Sequence, residues 1–342
     1  MEKNVYHYDK PFQLEKGGAF SSLTITYHTL GNLNAARDNV VWICHAFTAN
    51  SEVSDWWGGM VGEGKIFDPN YHFIICANIL GSCYGTTGPL SINPETNAPY
   101  YHDFPEVTVR DMVRAHELLR EHLEINRIFV VTGGSIGGFQ ALEWSIMNPD
   151  LFVNLVLIAS SAKASPWAIA FNESQRMAIA ADPSYQERKE NAGINGMKVA
   201  RSIALLSYRN YQTYTLTQSE DNDEKLDNFK ATTYQQYQGE KLARRFNAFS
   251  YYKLTQSLDT HNIARGRGSE QEVLGQITAH SLVIGISTDI LFPVEEQKFI
   301  AYHIPRARYI EVDSKYGHDG FLIEISKLTR ILRNNLKKAE KV

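Results

Sequence analysis

The sequence predicts an α/β fold: a mostly parallel central sheet flanked by helices and interrupted by a helical insertion. Three observations predict it. Continuous apolar runs such as NVVWICHA (39–46), HFIICANIL (72–80) and FVNLVLIASS (152–161) suit parallel strands buried on both faces. Segments with apolar residues at helical spacing alternate with those runs, the order that builds a parallel sheet. The alternation then lapses over residues 166–277, which are rich in Tyr, Gln, Asn, Arg and Glu and read as several helices.

In chain order, GGAFSSLTITYHTLG (17–31) partly alternates and predicts an antiparallel hairpin or meander. The buried runs at 39–46 and 72–80 follow. TVRDMVRAHELLREHLEI (108–125) places Val109, Met112, Val113, His116, Leu119 and Leu123 on one helical stripe. RIFVVTGGS (127–135) predicts a strand that runs straight into a helix, and 152–161 the strand after it. Within the insertion, GINGMKVARSIALLSYRNY and YQGEKLARRFNAFSYYKLTQSL are the clearest helices, and SEDNDEKLDN (219–228) is a charged, solvated connector. SLVIGIS (281–287) and RYIEVDS (308–314) resume the strands. GFLIEISKLTRILRNNLKKAEKV closes the chain as an amphipathic helix with a basic tail. The expected division is a core in two parts, residues 1–165 and 278–342, with residues 166–277 as a helical lid over the C-terminal edge of the sheet.

Composition narrows the function classes. The chain has 342 residues, 43 % apolar and 21 % charged, ordinary values for a globular protein with a sizeable core. A net charge of −4 offers no basic field to nucleic acid or to an anionic membrane. The three cysteines include no CxxC pair and suggest neither a disulfide framework nor a zinc site. Cys44 and Cys76 fall in apolar runs and read as small core residues. No metal-ligand cluster is visible. No run approaches the ~20 apolar residues of a membrane span, and the N-terminus lacks the apolar stretch of a signal peptide. The expected location is the cytoplasm.

One motif carries chemistry. Gly133-Gly134-Ser135-Ile136-Gly137 is G-x-S-x-G between a strand and a helix, the pattern of a nucleophile elbow. The sharp turn exposes the serine hydroxyl above the sheet, and glycines two residues away on either side avoid collisions there. A serine hydroxyl needs a base and an orienting acid, in the chain order Ser, Asp or Glu, His. Asp289 follows the strand at 281–287, and His318 follows the strand at 308–314. His116, on an apolar helical stripe, reads as a core residue. An oxyanion hole requires the N–H after the nucleophile, that of Ile136, and one from the loop after an early strand, for which Phe47 in HAFTAN is the candidate. Gly266-Arg267-Gly268 follows no strand and opens no helix, so it reads as a flexible surface loop rather than a phosphate loop.

With these residues placed, the sequence resembles the homoserine O-acetyltransferase family, acyltransferases of the α/β-hydrolase fold in methionine biosynthesis. The matching stretches include HAFTAN, SDWWGGMVGEGKIFD, ANILGSCYGTTGPLSINPETNAPY, DFPEVTVRDMV, GGSIGGFQALEW, AFNESQR, YQGEKLARRFNAFSYYKLTQSLD, STDILFP and YGHDGF. The resemblance implies a double displacement in which acetyl-CoA, a co-substrate, acylates Ser135 and L-homoserine then takes the acetyl group. No permanently bound cofactor is implied. Arg201 would grip the acceptor's α-carboxylate, Tyr208 would line the site and Asp319 would hold the α-ammonium. A homodimer joined through the lid helices is also implied. Phe47 and Ala49 stand where the family more often has leucine and glycine, and Ile136 and Phe139 where methionines are usual. These changes leave a succinyl donor, an L-serine acceptor, or hydrolysis by the same triad as alternative readings. A non-catalytic binding protein on this fold is disfavoured by the intact Ser135, Asp289 and His318.

Overall fold

Eight strands hydrogen-bond into one sheet in the computed structural model, which describes residues 1–337. They are β1 (Glu2–Tyr8), β2 (Leu23–Leu30), β3 (Val40–Cys44), β4 (Phe73–Ala77), β5 (Ile128–Gly134), β6 (Phe152–Ile158), β7 (His280–Ile286) and β8 (Ala307–Val312). The spatial order is β1-β2-β4-β3-β5-β6-β7-β8. The pairs from β4 to β8 are parallel, while β2 runs antiparallel to both β1 and β4.

The continuous apolar runs form strands because helices cover both faces of the sheet. Trp42, Cys44, Ile75 and Val131 point to one face and pack with the helices α1 (Val109–His122) and α2 (Ile136–Met147). Val41, Ile43, Ile74 and Val130 alternate to the other face. All eight are almost completely buried. Helix α1 starts with a capping box in which Thr108 and Asp111 satisfy each other's backbone N–H groups. The strands β5, β6, β7 and β8 all point their C-terminal ends the same way, so the loops that leave them collect along one edge.

Between β6 and β7 lie α3 (Pro166–Ala180), α4 (Ile194–Tyr208), α5 (Tyr211–Gln218), α6 (Lys230–Ala243), α7 (Ala248–Asp259) and the short α8 (Glu270–Leu274). Helix α4 packs against α3, α6 and α7. After β7 come α9 (Val294–His303), β8, the single turn α10 (Gly320–Ile323) and α11 (Ile325–Asn335), whose Leu328 and Leu332 close the second core face.

Three readings change, and one strand went unread. Residues 17–31 do not form a hairpin on themselves: β2 pairs with the N-terminal β1, while Ala19–Phe20 pairs with Phe12–Gln13. Strand β1 has exposed and half-buried side chains only, so its sequence carries no apolar signal. The stretch at 237–258 is broken at Asn247, whose side chain caps α7 by accepting from the Ser250 N–H. Gly266 and Gly268 have positive φ, but the loop is anchored: Arg267 donates to the buried Glu143 carboxylate at 2.6 Å, and Ser269 then caps α8. The end of the basic tail, residues 338–342, lies outside the described residues.

Candidate active site

The edge formed by the C-terminal ends of the strands carries the candidate residues. Ser135 sits between β5 and α2 with φ 58° and ψ −129°, a conformation costly for a residue with a side chain. Close packing enforces it. A Cβ on Gly133 would lie 2.2 Å from the Gly137 carbonyl carbon, and one on Gly137 would lie 2.2 Å from the Cys44 oxygen. The Ser135 N–H donates to the Ile158 carbonyl at 3.1 Å, and Ser160 Oγ donates to the Ser135 carbonyl at 3.2 Å.

Asp289 lies in the loop after β7 and His318 in the loop after β8. His318 Nδ1 is 2.7 Å from Asp289 Oδ2. Asp289 Oδ1 accepts from the backbone N–H groups of Leu291 and Phe292 at 2.8 and 3.0 Å. Thr288 joins the two loops: its hydroxyl donates to the Ser314 carbonyl at 2.7 Å and accepts from the Gly317 N–H at 3.0 Å. The carboxylate is therefore aimed at the imidazole before any substrate arrives. His318 Nε2 is buried and has no hydrogen-bond partner among the described residues. With Nδ1–H directed at the carboxylate, Nε2 is left as the proton acceptor.

Ser135 and His318 line one cavity of about 420 Å³. Phe47, Arg201, Tyr208 and Asp319 line the same cavity. Arg201 and Tyr208 come from α4, with the guanidinium carbon 5.5 Å from the centre of the Tyr208 ring. The Arg201 Nε is buried and unpartnered. Burial raises the Asp319 carboxyl above the usual carboxylate range, against the opposing pull of Arg201, Arg209 and His318. Burial likewise pushes the Tyr208 hydroxyl up to about 12, so it stays protonated and can donate. The N–H of Ile136 is the first of α2 and has no acceptor within the helix.

A second, smaller recess opens beside Ser135. It holds about 20 Å³ and is lined by Phe47, Phe139, Ala164, Ala168, Leu258 and Phe292, among others. That is room for one group the size of a methyl or a water molecule.

Over residues 39–324 the chain matches the family described as the alpha/beta hydrolase fold. It is 46 % identical over 334 residues to the homoserine O-acetyltransferase of Cyclobacterium marinum, covering 98 % of this chain and 95 % of that relative. The chain belongs to the homoserine O-acetyltransferase family. Among solved structures, the homoserine O-acetyltransferase from Bacillus anthracis superposes with a TM-score of 0.90 at 25 % identity, covering 99 % of this chain and 98 % of that one. Esterase E22 superposes with a TM-score of 0.89 at 23 % identity, covering 98 % and 100 %, and shares the fold.

Membership of the homoserine O-acetyltransferase family makes the chain an acyltransferase, and two of its departures from the family pattern now have a place. Phe47 and Phe139 both line the small recess beside Ser135. Among the described residues no helix is long and apolar enough to cross a membrane, and no group of His, Cys, Asp and Glu could hold a metal ion.

Three cationic residues are among those at this site that escaped the sequence reading. Arg209 Nε donates to Asp319 Oδ2 at 3.3 Å. Lys241 and Arg245 line the main cavity, and Arg245 also bonds the Thr48 carbonyl and the Tyr84 hydroxyl. No sequence signal marks them. An Arg just past the end of a helix is common because it offsets the helix dipole, and the other two fall among ordinary charged residues of the insertion.

Proposed function

We propose that this acyltransferase moves an acetyl group from acetyl-CoA to the hydroxyl of L-homoserine through an acyl-Ser135 intermediate, as a step toward methionine in the cytoplasm. Ser135 Oγ attacks the thioester carbonyl as His318 Nε2 takes its proton, and the CoA sulfur leaves with that proton. The homoserine hydroxyl then attacks the acyl carbonyl, giving its proton to His318, which returns it to Ser135 Oγ. Asp289 holds the imidazole in the Nδ1–H tautomer and stabilises the imidazolium. The N–H groups of Phe47 and Ile136 stabilise the oxyanion in both steps.

The observation that carries this reading is the pairing of opposite charges in the cavity of Ser135 and His318. Arg201 offers an unpartnered Nε and Asp319 a carboxylate, a match for the carboxylate and ammonium ends of an amino acid. The names of the relatives support the same acceptor. The 20 Å³ recess favours acetyl over succinyl on size alone, since it has room for a methyl but not for a further methylene and carboxylate. Lys241 and Arg245 suit the phosphates of the donor. We also infer a homodimer through the insertion helices, on which Trp167, Met177, Val199 and Leu206 are each more than half exposed.

The test offers acetyl-, succinyl- and propionyl-CoA against L-homoserine and L-serine, following thiol release with and without acceptor. Acetyl-CoA with homoserine is expected to be fastest. Equal thiol release in the absence of acceptor indicates a hydrolase instead. Light scattering of the purified chain reads the dimer.

A further inference from the structure

His45 is a buried titratable group that the proposed reaction does not use. It follows the last residue of β3, Cys44, immediately before Ala46 and Phe47, and it is fully buried. The Ile79 N–H donates to its Nε2 at 3.0 Å. An N–H can only meet an unprotonated ring nitrogen, so the proton of the neutral imidazole sits on Nδ1. That Nδ1–H donates to the carbonyl oxygen of Ala46 at 2.9 Å. The same oxygen accepts from the Ala49 N–H at 3.0 Å, closing a turn over residues 46–49.

The Ala46 carbonyl shares a peptide plane with the N–H of Phe47. No peptide among the described residues is cis, so that N–H points opposite to the carbonyl. Fixing the oxygen on the His45 side directs the N–H away from it, and Ala46, Phe47 and Ser135 all line the main cavity. A second contact ties this loop to the nucleophile. Gln140 Nε2 donates to the His45 carbonyl at 3.3 Å and to the Ile136 carbonyl at 3.1 Å. Gln140 Oε1 in turn faces His116 Nε2 at 2.8 Å.

We propose that His45 is a positioning residue for the oxyanion hole: its Nδ1–H holds the Ala46–Phe47 peptide so that the Phe47 N–H faces the acyl carbonyl. Gln140, bonded to the carbonyl of the preceding His45–Ala46 peptide, then sets the spacing between this loop and the first turn of α2, where the Ile136 N–H lies. Burial pushes the imidazole down to about 4, so the neutral form that can serve both neighbours persists at working pH. The proposal rests on the acyl-Ser135 reading, but it concerns any carbonyl attacked by Ser135.

Two substitutions separate the ring's two bonds. His45→Asn keeps a donor near the Nδ1 position for Ala46, while His45→Gln keeps an acceptor near Nε2 for Ile79. Acylation is followed with acetyl-CoA and with a chromogenic acetyl ester, so that a wrong donor assignment does not silence the assay. His45→Asn is expected to stay within about tenfold of the native rate in both half-reactions, and His45→Gln to lose about 100-fold at a similar Tm, with the acceptor KM unchanged in both. Equal losses in the two variants, or a native rate in His45→Gln, overturn the proposal. Nitrogen-15 NMR of histidine-labelled native enzyme needs no variant: a neutral Nδ1–H tautomer at His45 is expected, and an Nε2–H tautomer or an imidazolium at neutral pH overturns it.

Discussion

His318 Nδ1 lies 2.7 Å from Asp289 Oδ2, while the other oxygen of that carboxylate accepts two backbone N–H groups. One oxygen is thus committed to the loop and one to the imidazole. Asp289→Asn can keep the loop bonds through its carbonyl oxygen, but it then turns its NH₂ toward the ring and favours the wrong tautomer. We expect kcat to fall about 10³- to 10⁴-fold with little change in Tm, measured by steady-state kinetics and thermal denaturation. Retention of a tenth of native activity shows that Asp289 does not orient His318.

The 20 Å³ recess predicts a steep dependence on acyl length. Each added methylene has to displace packed side chains, and a single methylene in such a pocket is worth about 1–3 kcal/mol. Propionyl-CoA should therefore react at least about tenfold less efficiently than acetyl-CoA. Leu258→Ala should narrow that ratio by enlarging the recess, and Ala168→Val should lower kcat/KM for acetyl-CoA. Unchanged ratios in Leu258→Ala place the acyl group elsewhere.

If Arg201 grips the acceptor's carboxylate as proposed, Arg201→Ala should raise the homoserine KM about 30-fold or more while acylation by acetyl-CoA changes little. Arg201→Lys should recover only part of the loss, since an ammonium lacks the planar fork. Stopped-flow acylation and steady-state kinetics separate the half-reactions. A matching loss in both assigns Arg201 a structural role.

Stability should fall in mild acid. Burial lowers His45 and His116 to about 4 and His261 to about 3, from the ordinary 6.5. Each folded pKa is depressed, so the unfolded chain binds more protons below about pH 6.5 and the stabilisation shrinks as pH falls toward 4. Each histidine contributes a loss of about 1.4 kcal/mol per pH unit across that window. Unfolding in urea at pH 7, 6, 5 and 4.5 reads the slope, and His116→Gln should reduce it by about one proton. A flat profile between pH 6.5 and 4.5 shows that the three rings take up protons as readily in the folded chain as in the unfolded one.

Much of this chain was legible because its signals are local or periodic. The runs at 39–46, 72–80 and 152–161 must be buried on two faces, and only a parallel sheet covered by helices does that. The glycines two residues either side of Ser135, Gly133 and Gly137, are demanded by backbone contacts of 2.2 Å that any Cβ would make. Asp289 and His318 follow from chain order once the elbow is placed. Strand β1 was missed because an edge strand with a wet face needs no apolar pattern. The break at Asn247 was missed because a cap inside a long helical pattern costs the local signal little.

The sequence by itself determined the α/β fold, the strand-to-helix turn at Ser135, the loops that carry Asp289 and His318, and the family to which the chain belongs. Only the tertiary structure decided that Arg209 holds Asp319, that Phe47 and Phe139 narrow the same recess, and that His45 and Gln140 tie the loop after β3 to the helix that starts at Ile136. The first set depends on what each segment must bury or how sharply it must turn. The second depends on which distant segments meet, and that is settled by packing the whole chain at once.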